Sequence, residues 1–349
     1  MKINQIQSDL KKKHGDHFVT SASDTLDVER IPTGIFHIDR ATGGGLPRGK
    51  SSNIWGEEST GKTNIAIKTM AMHQKLWPDE ICVFVDLENA FDKKWATRLG
   101  LDVSKIALFR PDYGEQAVDI IQGVLASEDC GLTVVDSVAS LVPVNEQDST
   151  AEKAQVGGNA LLISKMLKKC TVVQAQQASK GRFPSLLLLN QMRKKIGVMF
   201  GNPESQPGGH ALRHVSGLTI QMYGGNDIID KAIDEHVPAF KEMKGKITKN
   251  KVPYLSKQFE FMFPSINKGG IRIGEVDDHK PFEAMLKAAG WLEKTKKGVV
   301  LLDLEFKTFK AAWEWLDDPE NADQRLELRT ALLEQAMTDK YGIDDDVEA

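Results

Sequence analysis

The residues with the clearest chemical potential form a glycine-rich run with the sequence GEESTGKT. It matches the pattern G-x-x-x-x-G-K-[ST] in full and lies between a predicted strand and a predicted helix. Glycines let backbone N–H groups point at phosphate oxygens, and the helix N-terminus favours negative charge. The run therefore predicts an ATP-binding loop made of Gly56, Glu57, Glu58, Ser59, Thr60, Gly61, Lys62 and Thr63. A chance match in a glycine-rich turn is disfavoured by the elements on either side.

Two of these residues and two strand ends suggest the chemistry. Lys62 is expected to reach the β- and γ-phosphates, and the Thr63 hydroxyl to bind Mg²⁺. The apolar run Leu132–Asp136 ends in a carboxylate that would hold the Mg²⁺ shell through water. The run Cys82–Glu88 also ends in acids, and Glu88 is a candidate general base for an attacking water. Each acid alone could be a solvated strand end.

The positions of these motifs require an alternation of strands and helices. Apolar runs predict buried strands, and periodic runs predict helices. The predicted strands are Ser52–Trp55, Ile81–Val85, Leu132–Val135 and Leu186–Leu189, and the predicted helices are Ile65–Leu76, Ala117–Ala126 and Ala160–Gln174. This alternation predicts an α/β fold on a mostly parallel sheet.

Four parts are predicted along the chain. Residues 1–30 form a short N-terminal unit, in which Ile3, Ile6 and Leu10 have helical spacing. One isolated helix has no core of its own, so it must dock on the body or on a neighbouring molecule. Residues 31–268 form the ATPase core, 269–342 a small α+β C-terminal domain, and 343–349 an acidic tail.

The charge distribution qualifies a net charge of −4. The last 33 residues contain eleven acidic and three basic side chains, so the remaining 316 residues are mildly basic at +4. No apolar run is long enough for a membrane span, and Met1–Lys13 has no secretory h-region. Three cysteines without a close pair make zinc improbable and fit a reducing cytoplasm.

The segment from Met192 to His210 has the composition of a nucleic-acid-binding loop. Its cations attract phosphates, and its glycines allow close approach of the backbone. Its apolar residues are poorly suited to solvent and suit insertion between bases. The candidate DNA-binding residues are Met192, Arg193, Lys194, Lys195, Ile196, Gly197, Val198, Met199, Phe200, Gly208, Gly209 and His210. A flexible surface loop is the alternative, which leaves the apolar run unexplained.

The string NQMRKKIGVMFGNPE at 190–204 closely resembles the second DNA-binding loop of the bacterial RecA family and the strand end before it. Further segments also resemble this family, strongly over about residues 31–268. They are IPTG at 31–34, GGGLP at 43–47, FVDLENAFD at 84–92, PDYGEQA at 111–117, VVDSVASL at 134–141 and KNK at 249–251. Cellular and phage-encoded members are both compatible with these residues.

The resemblance implies a RecA-type P-loop ATPase core and roles for individual residues. Glu88 resembles the glutamate that activates water, and Gln191 the residue that senses the γ-phosphate. Trp95 stands where the family usually has a tyrosine stacked on adenine. Lys249 and Lys251 resemble lysines that reach ATP across a subunit boundary. Val156 and Gly157 fall in the segment that corresponds to the family's first DNA loop.

The implied function is that of an ATP-dependent homologous recombinase. Such a protein forms a helical filament of its own copies on single-stranded DNA, pairs it with homologous duplex and exchanges strands. No particular loader or single-strand-binding protein is indicated as a partner. Two departures from the family are extra residues near Ser179–Pro184 and His214 in place of a frequent aromatic, which leaves ATP cooperativity open.

Three other functions compete with this interpretation. A ring-forming helicase would share the fold but not the loop at 190–204. A non-catalytic DNA-coating protein would not need the complete set of Lys62, Thr63, Glu88 and Asp136. A small-molecule kinase would need a substrate lid, which nothing in the sequence resembles.

Overall fold

The computed structural model describes residues 3–14, 28–144, 158–194, 204–268 and 272–341. The helices there are α1 Ile3–His14, α2 Phe36–Thr42, α3 Lys62–Leu76, α4 Lys93–Arg98, α5 Gly114–Ala126, α6 Gly158–Ala178, α7 Gly209–Val215, α8 His279–Ala288, α9 Phe309–Asp317 and α10 Ala322–Tyr341. The strands are β1 Arg30–Ile31, β2 Leu46–Pro47, β3 Ser51–Gly56, β4 Ile81–Asp86, β5 Ile106–Phe109, β6 Cys130–Asp136, β7 Ser185–Gln191, β8 Arg193–Lys194, β9 Glu204–Ser205, β10 Leu218–Ile228, β11 Phe240–Asn250, β12 Gln258–Pro264, β13 Leu292–Thr295, β14 Gly298–Leu301 and β15 Leu304–Phe306.

The centre of the core is an eight-stranded sheet in the order β12-β11-β10-β3-β7-β6-β4-β5. The strands from β10 to β5 in this order pair in parallel, whereas β11 and β12 add an antiparallel edge. The predicted α/β fold is therefore confirmed, as are the four predicted strands and three predicted helices. The antiparallel edge was not predicted.

The helices cover both faces of this sheet, which is why the residues of its central strands are almost all buried. One buried cluster packs α3 and α2 against one face, with Ile65, Met70 and Phe84 among its members. A second cluster packs α5 and α6 against the other face, with Ile121 and Met166 among its members. All three cysteines lie buried in these layers.

Register aligns the functional strand ends at one edge of the sheet. Asp86 on β4 lies opposite Asp136 on β6, and Gly56 on β3 lies opposite Gln191 on β7. Because the carboxyl ends of parallel strands share an edge, four segments predicted to do chemistry meet there.

The described part of the C-terminal region has a three-stranded antiparallel sheet, β13-β14-β15, and the helices α8, α9 and α10. It has a hydrophobic core of its own, to which Phe36 of α2 also belongs. Phe36 is 0% exposed and packs edge-on against Phe282, and the Arg329 guanidinium lies over both rings. The small α+β unit is as predicted. Its boundary at 268/269 stays a prediction, since 269–271 lie outside the described residues.

Two peripheral segments lie where the sequence predicts them. Ser179–Pro184 connects α6 to β7, with Gly181 at a φ of 73°, as suits a loop tip. The helix α1 exists as predicted, and Ile3, Ile6 and Leu10 are 73, 41 and 39% exposed. Its docking partner stays a prediction.

Candidate active site

The phosphate-binding loop follows β3 directly and leads into α3. Gly56 ends the strand where a Cβ would collide with the carbonyl oxygen of Met222. Gly61 has a φ of 78° at the N-terminus of α3, a conformation that favours glycine. Ser59 also has a positive φ, 57°. The motif's glycines are thus required by backbone conformation and close packing.

The Lys62 side chain folds back onto this loop. Its Nζ donates to Glu57 O at 2.6 Å, to Gly56 O at 3.3 Å and to Thr60 Oγ1 at 3.4 Å. Burial lowers the pKa of Lys62, and the carboxylates of Asp136, Glu88 and Glu58 oppose that shift. A half-buried ammonium that donates to neutral oxygens is suited to donate to phosphate oxygens in their place.

Thr63 and Asp136 meet on the neighbouring side of the loop. Thr63 Oγ1 donates to Asp136 Oδ2 at 2.7 Å. Burial raises the pKa of Asp136 to about 6, and the hydrogen bond from Thr63 partly opposes that rise. A hydroxyl and a buried carboxylate in contact provide oxygen ligands, and a cation there would relieve the cost of burying the charge. These residues fit Mg²⁺.

Glu88 lies just past β4 and is held by donors from two other strand ends. Its Oε1 accepts from Ser137 Oγ at 2.5 Å, from Gln191 Nε2 at 2.8 Å and from Ser140 Oγ at 3.3 Å. The structure thus brings the predicted base into contact with the predicted γ-phosphate sensor. The two serines were not predicted to take part.

Asp86, the other acid at the end of β4, has a structural role. It accepts from the backbone of Ala90 at 3.0 Å and Phe91 at 3.2 Å, and from Arg110 Nε at 3.2 Å. These bonds shape the turn that presents Glu88. Sequence position alone does not separate the two acids.

A cleft of about 380 Å³ opens beside the phosphate loop. Trp95 lines it, and its Nε1 donates to Asn64 Oδ1 at 2.8 Å. Lys241 and Met243 of β11 and Phe263 of β12 form another part of its wall. The sequence did not indicate these last three, because they reach the cleft only through the antiparallel edge of the sheet.

Lys249 and Lys251 do not line this cleft. The ammonium group of Lys249, on β11, donates hydrogen bonds to the carbonyl oxygens of Arg213 and, at 3.1 Å, His214. It therefore caps the C-terminus of α7, and its pKa is lowered by burial and by Lys251 and Arg213. The role of both lysines across a subunit boundary stays a prediction.

The predicted DNA loop begins where β7 ends. Met192 N donates to Gly56 O at 2.9 Å, and Arg193 is exposed on β8. Arg193 pairs with Ser205 and Lys194 with Glu204, so these residues form a short antiparallel ladder rather than open loop. At its other end, Gly208 has a φ of 63°, and Gly209 and His210 belong to α7.

The loop is thus shorter than the Met192–His210 that its composition suggested. Its central residues Lys195, Ile196, Gly197, Val198, Met199 and Phe200 lie outside the described residues, and so do Val156 and Gly157 of the other candidate loop. Within the described ranges, no cluster of three or more His, Cys, Asp or Glu side chains could hold a metal ion, and no helix is long and apolar enough to cross a membrane.

A parallel sheet with a phosphate loop after β3, and with carboxylates at the ends of β4 and β6, defines a P-loop ATPase. Residues 1–268 match the family model described as the RecA N-terminal domain. The chain belongs to the RecA family. It is accordingly a DNA-dependent ATPase and a recombinase whose strand exchange depends on ATP.

Similarity to curated relatives extends over most of the chain. It is 36% identical to "Protein RecA" of Aquifex pyrophilus over 296 residues, which are 83% of this chain and 81% of that one. It is 35% identical to "Protein RecA" of Mesoplasma florum over 331 residues, 93% of each chain. It is 37% identical to "Protein RecA" of Aquifex aeolicus over 261 residues, 73% of this chain and 72% of that one.

Proposed function

We propose that this recombinase hydrolyses ATP between neighbouring copies of itself in a filament on single-stranded DNA, and that Gln191 links the two activities. The observation that supports this most directly is the 2.8 Å bond from Gln191 Nε2 to Glu88 Oε1. Gln191 ends the strand that continues into the predicted DNA-binding loop. A change in the partner of Gln191 would therefore displace the start of that loop, and DNA bound to the loop would displace Gln191.

In the proposed reaction, the loop Gly56–Thr63 and Lys62 hold the phosphates, and Glu88 accepts the proton of the attacking water. Thr63 and Asp136 would hold Mg²⁺, which when bound neutralises phosphate charge. Trp95 provides an aromatic wall of the cleft, against which the adenine of ATP can stack. Lys249 and Lys251 are proposed to contact the nucleotide of the adjacent protomer, completing its site.

The proposed DNA contacts are Met192–Phe200 and Gly208–His210 of this loop, together with Val156 and Gly157 of the other candidate loop. Phosphate contacts are indifferent to sequence, so homology would be recognised by pairing between the bound strand and an incoming duplex. Hydrolysis would then weaken the grip on DNA and allow turnover. We place this activity in the cytoplasm of a bacterial or phage-infected cell.

Strand exchange between circular single-stranded DNA and homologous linear duplex tests the proposal. Joint molecules are expected with ATP and with a non-hydrolysable analogue, and none without nucleotide. Electron microscopy of the same mixtures should show open helical filaments. Closed rings, or exchange that proceeds without nucleotide, would contradict the proposal.

A further inference from the structure

Three amide side chains meet under the segment that leaves the predicted DNA-binding loop. Asn53 of β3 and Asn190 of β7 are both 0% exposed. Each donates its Nδ2 to the same acceptor, Gln206 Oε1, at 3.0 and 3.1 Å. Gln206 lies between β9 and α7. We call Asn53, Asn190 and Gln206 the amide triad.

Both buried members of the triad belong to strands that end at the nucleotide site. Asn53 lies on β3, which ends at Gly56 of the phosphate loop. Asn190 directly precedes Gln191, and its Oδ1 accepts the Gln191 N–H at 2.9 Å. Asn190 Nδ2 also donates to Pro207 O at 2.9 Å. One side chain is thus bonded both to the predicted γ-phosphate sensor and to the exit of the DNA loop.

Packing alone does not account for this arrangement. Burying an amide destabilises the fold unless its donors and acceptors are hydrogen-bonded. Apolar residues of similar size would fill the same space without this cost. Asn53 Oδ1 is buried and has no hydrogen-bond partner among the described residues. Gln206 Oε1 is shared by two donors, whereas Asn53 Oδ1 accepts from none of the described residues. Such a network can exchange hydrogen-bond partners when one strand end shifts.

We propose that Gln206 is a positioning residue that transmits the nucleotide state from Gln191 to the DNA-binding loop through the amide triad. The inference rests on the proposed role of that loop. When Gln191 leaves Glu88 for a phosphate, the backbone of Asn190 moves with it, and the shared acceptor moves the loop exit and the start of α7. Coupling of this kind is reciprocal, so DNA at the loop strengthens nucleotide binding by the same factor.

The test measures the affinity of the full chain for a fluorescent oligo-thymidylate, with ADP and with a non-hydrolysable ATP analogue. The ratio of the two affinities reports the coupling. Gln206→Leu removes the shared acceptor at nearly constant size, and the ratio should fall about 5-fold or more. Gln206→Glu keeps an oxygen acceptor and should retain a ratio close to that of the unaltered chain. Gln258→Leu, at an exposed glutamine of β12, is the matched control.

Asn53→Leu supplies a second, independent variant, since it removes one donor from the opposite side of the triad. It should lower the ratio as Gln206→Leu does. If both affinities fall in parallel in these variants, Gln206 supports or contacts DNA without coupling, and the inference is wrong. An unchanged ratio in both Leu variants also overturns it. If the unaltered chain itself binds equally with ADP and the analogue, the failure lies with the proposed function.

Discussion

Gln191 Nε2 and Ser137 Oγ donate to the same oxygen, Glu88 Oε1, from the ends of two different strands. A water that used this oxygen as its proton acceptor would have to compete with those donors. Gln191 adjoins the predicted DNA loop, so we expect DNA binding to control hydrolysis by moving Gln191 away from Glu88. Ser137 holds the carboxylate in place meanwhile.

The role of Glu88 is tested by Glu88→Gln, which keeps the size and the acceptor oxygen but removes the base. We expect DNA-stimulated phosphate release to fall by roughly 10²–10⁴, the range for loss of a general base. Filaments formed with ATP should persist longer than those of the unaltered chain when followed by electron microscopy. Near-normal hydrolysis would remove Glu88 from this role.

A site shared between protomers can be detected by mixing variants. Lys251→Ala and Glu88→Gln chains should each hydrolyse ATP poorly in the presence of DNA. Mixed filaments contain some boundaries at which both halves are intact, so activity should rise above that of either variant alone. The measurement is ATP turnover against mixing ratio. A simple weighted average at every ratio would place the lysine's action within its own chain.

Arg193 is exposed on β8 at the edge of the predicted DNA loop, so Arg193→Ala should weaken binding to all single strands alike. The slope of log K against log salt should shrink by about 0.7, because one phosphate of the single strand is no longer neutralised by the protein. Arg182→Ala is a suitable control, because Arg182 precedes the opposite end of β7 and pairs with Glu128. Identical slopes for the two variants would show that Arg193 does not touch DNA.

The buried carboxyl group of Asp39, which lies outside the active site, should make the stability of the fold depend on pH. Burial raises the pKa of Asp39 from 3.8 to about 7, although Thr33 N and Oγ1 each donate to its Oδ1 at 2.7 Å. At pH values between these two pKa values, the folded chain therefore binds more protons than the unfolded chain. The stabilisation that this protonation contributes is lost as pH rises from about 4 to about 7.

Asp39→Asn keeps an acceptor for both Thr33 donors and removes the titration. Relative to the unaltered chain, it should gain up to about 4 kcal/mol of unfolding free energy between pH 4 and pH 7. Urea unfolding at a series of pH values measures this difference. Parallel pH profiles for the two proteins would mean that Asp39 is ionised throughout.

The parts of the site that could be predicted from sequence are those encoded in contiguous residues. A glycine-rich loop after a strand, and acids at strand ends, were sufficient to locate Lys62, Thr63, Glu88 and Asp136. Parallel pairing then places these residues at one edge of the sheet. The string at 190–204 predicted a DNA-binding loop, and the structure shows that the ends of this segment pair as β8 and β9.

The contacts that could not be predicted depend on tertiary packing across distant segments. Lys241 and Phe263 reach the cleft because β11 and β12 extend the sheet beyond its parallel strands. Lys249 caps α7 through a contact that spans 36 and 35 positions of sequence. Asn53 and Gln206 carry no sequence pattern, and only the structure shows that they share a bond.

Phe36 lies in the ATPase part of the chain but is buried in the hydrophobic core of the C-terminal region. A chain cut after residue 268 would leave this ring, and the Asp39 and Lys68 charges near the same contact, without the Asp278 and Arg329 groups that surround them. Removing the C-terminal region would therefore expose an apolar surface that favours association between molecules. Limited digestion should release no independently soluble ATPase fragment, because Phe36 of the ATPase part is buried by residues of the C-terminal region.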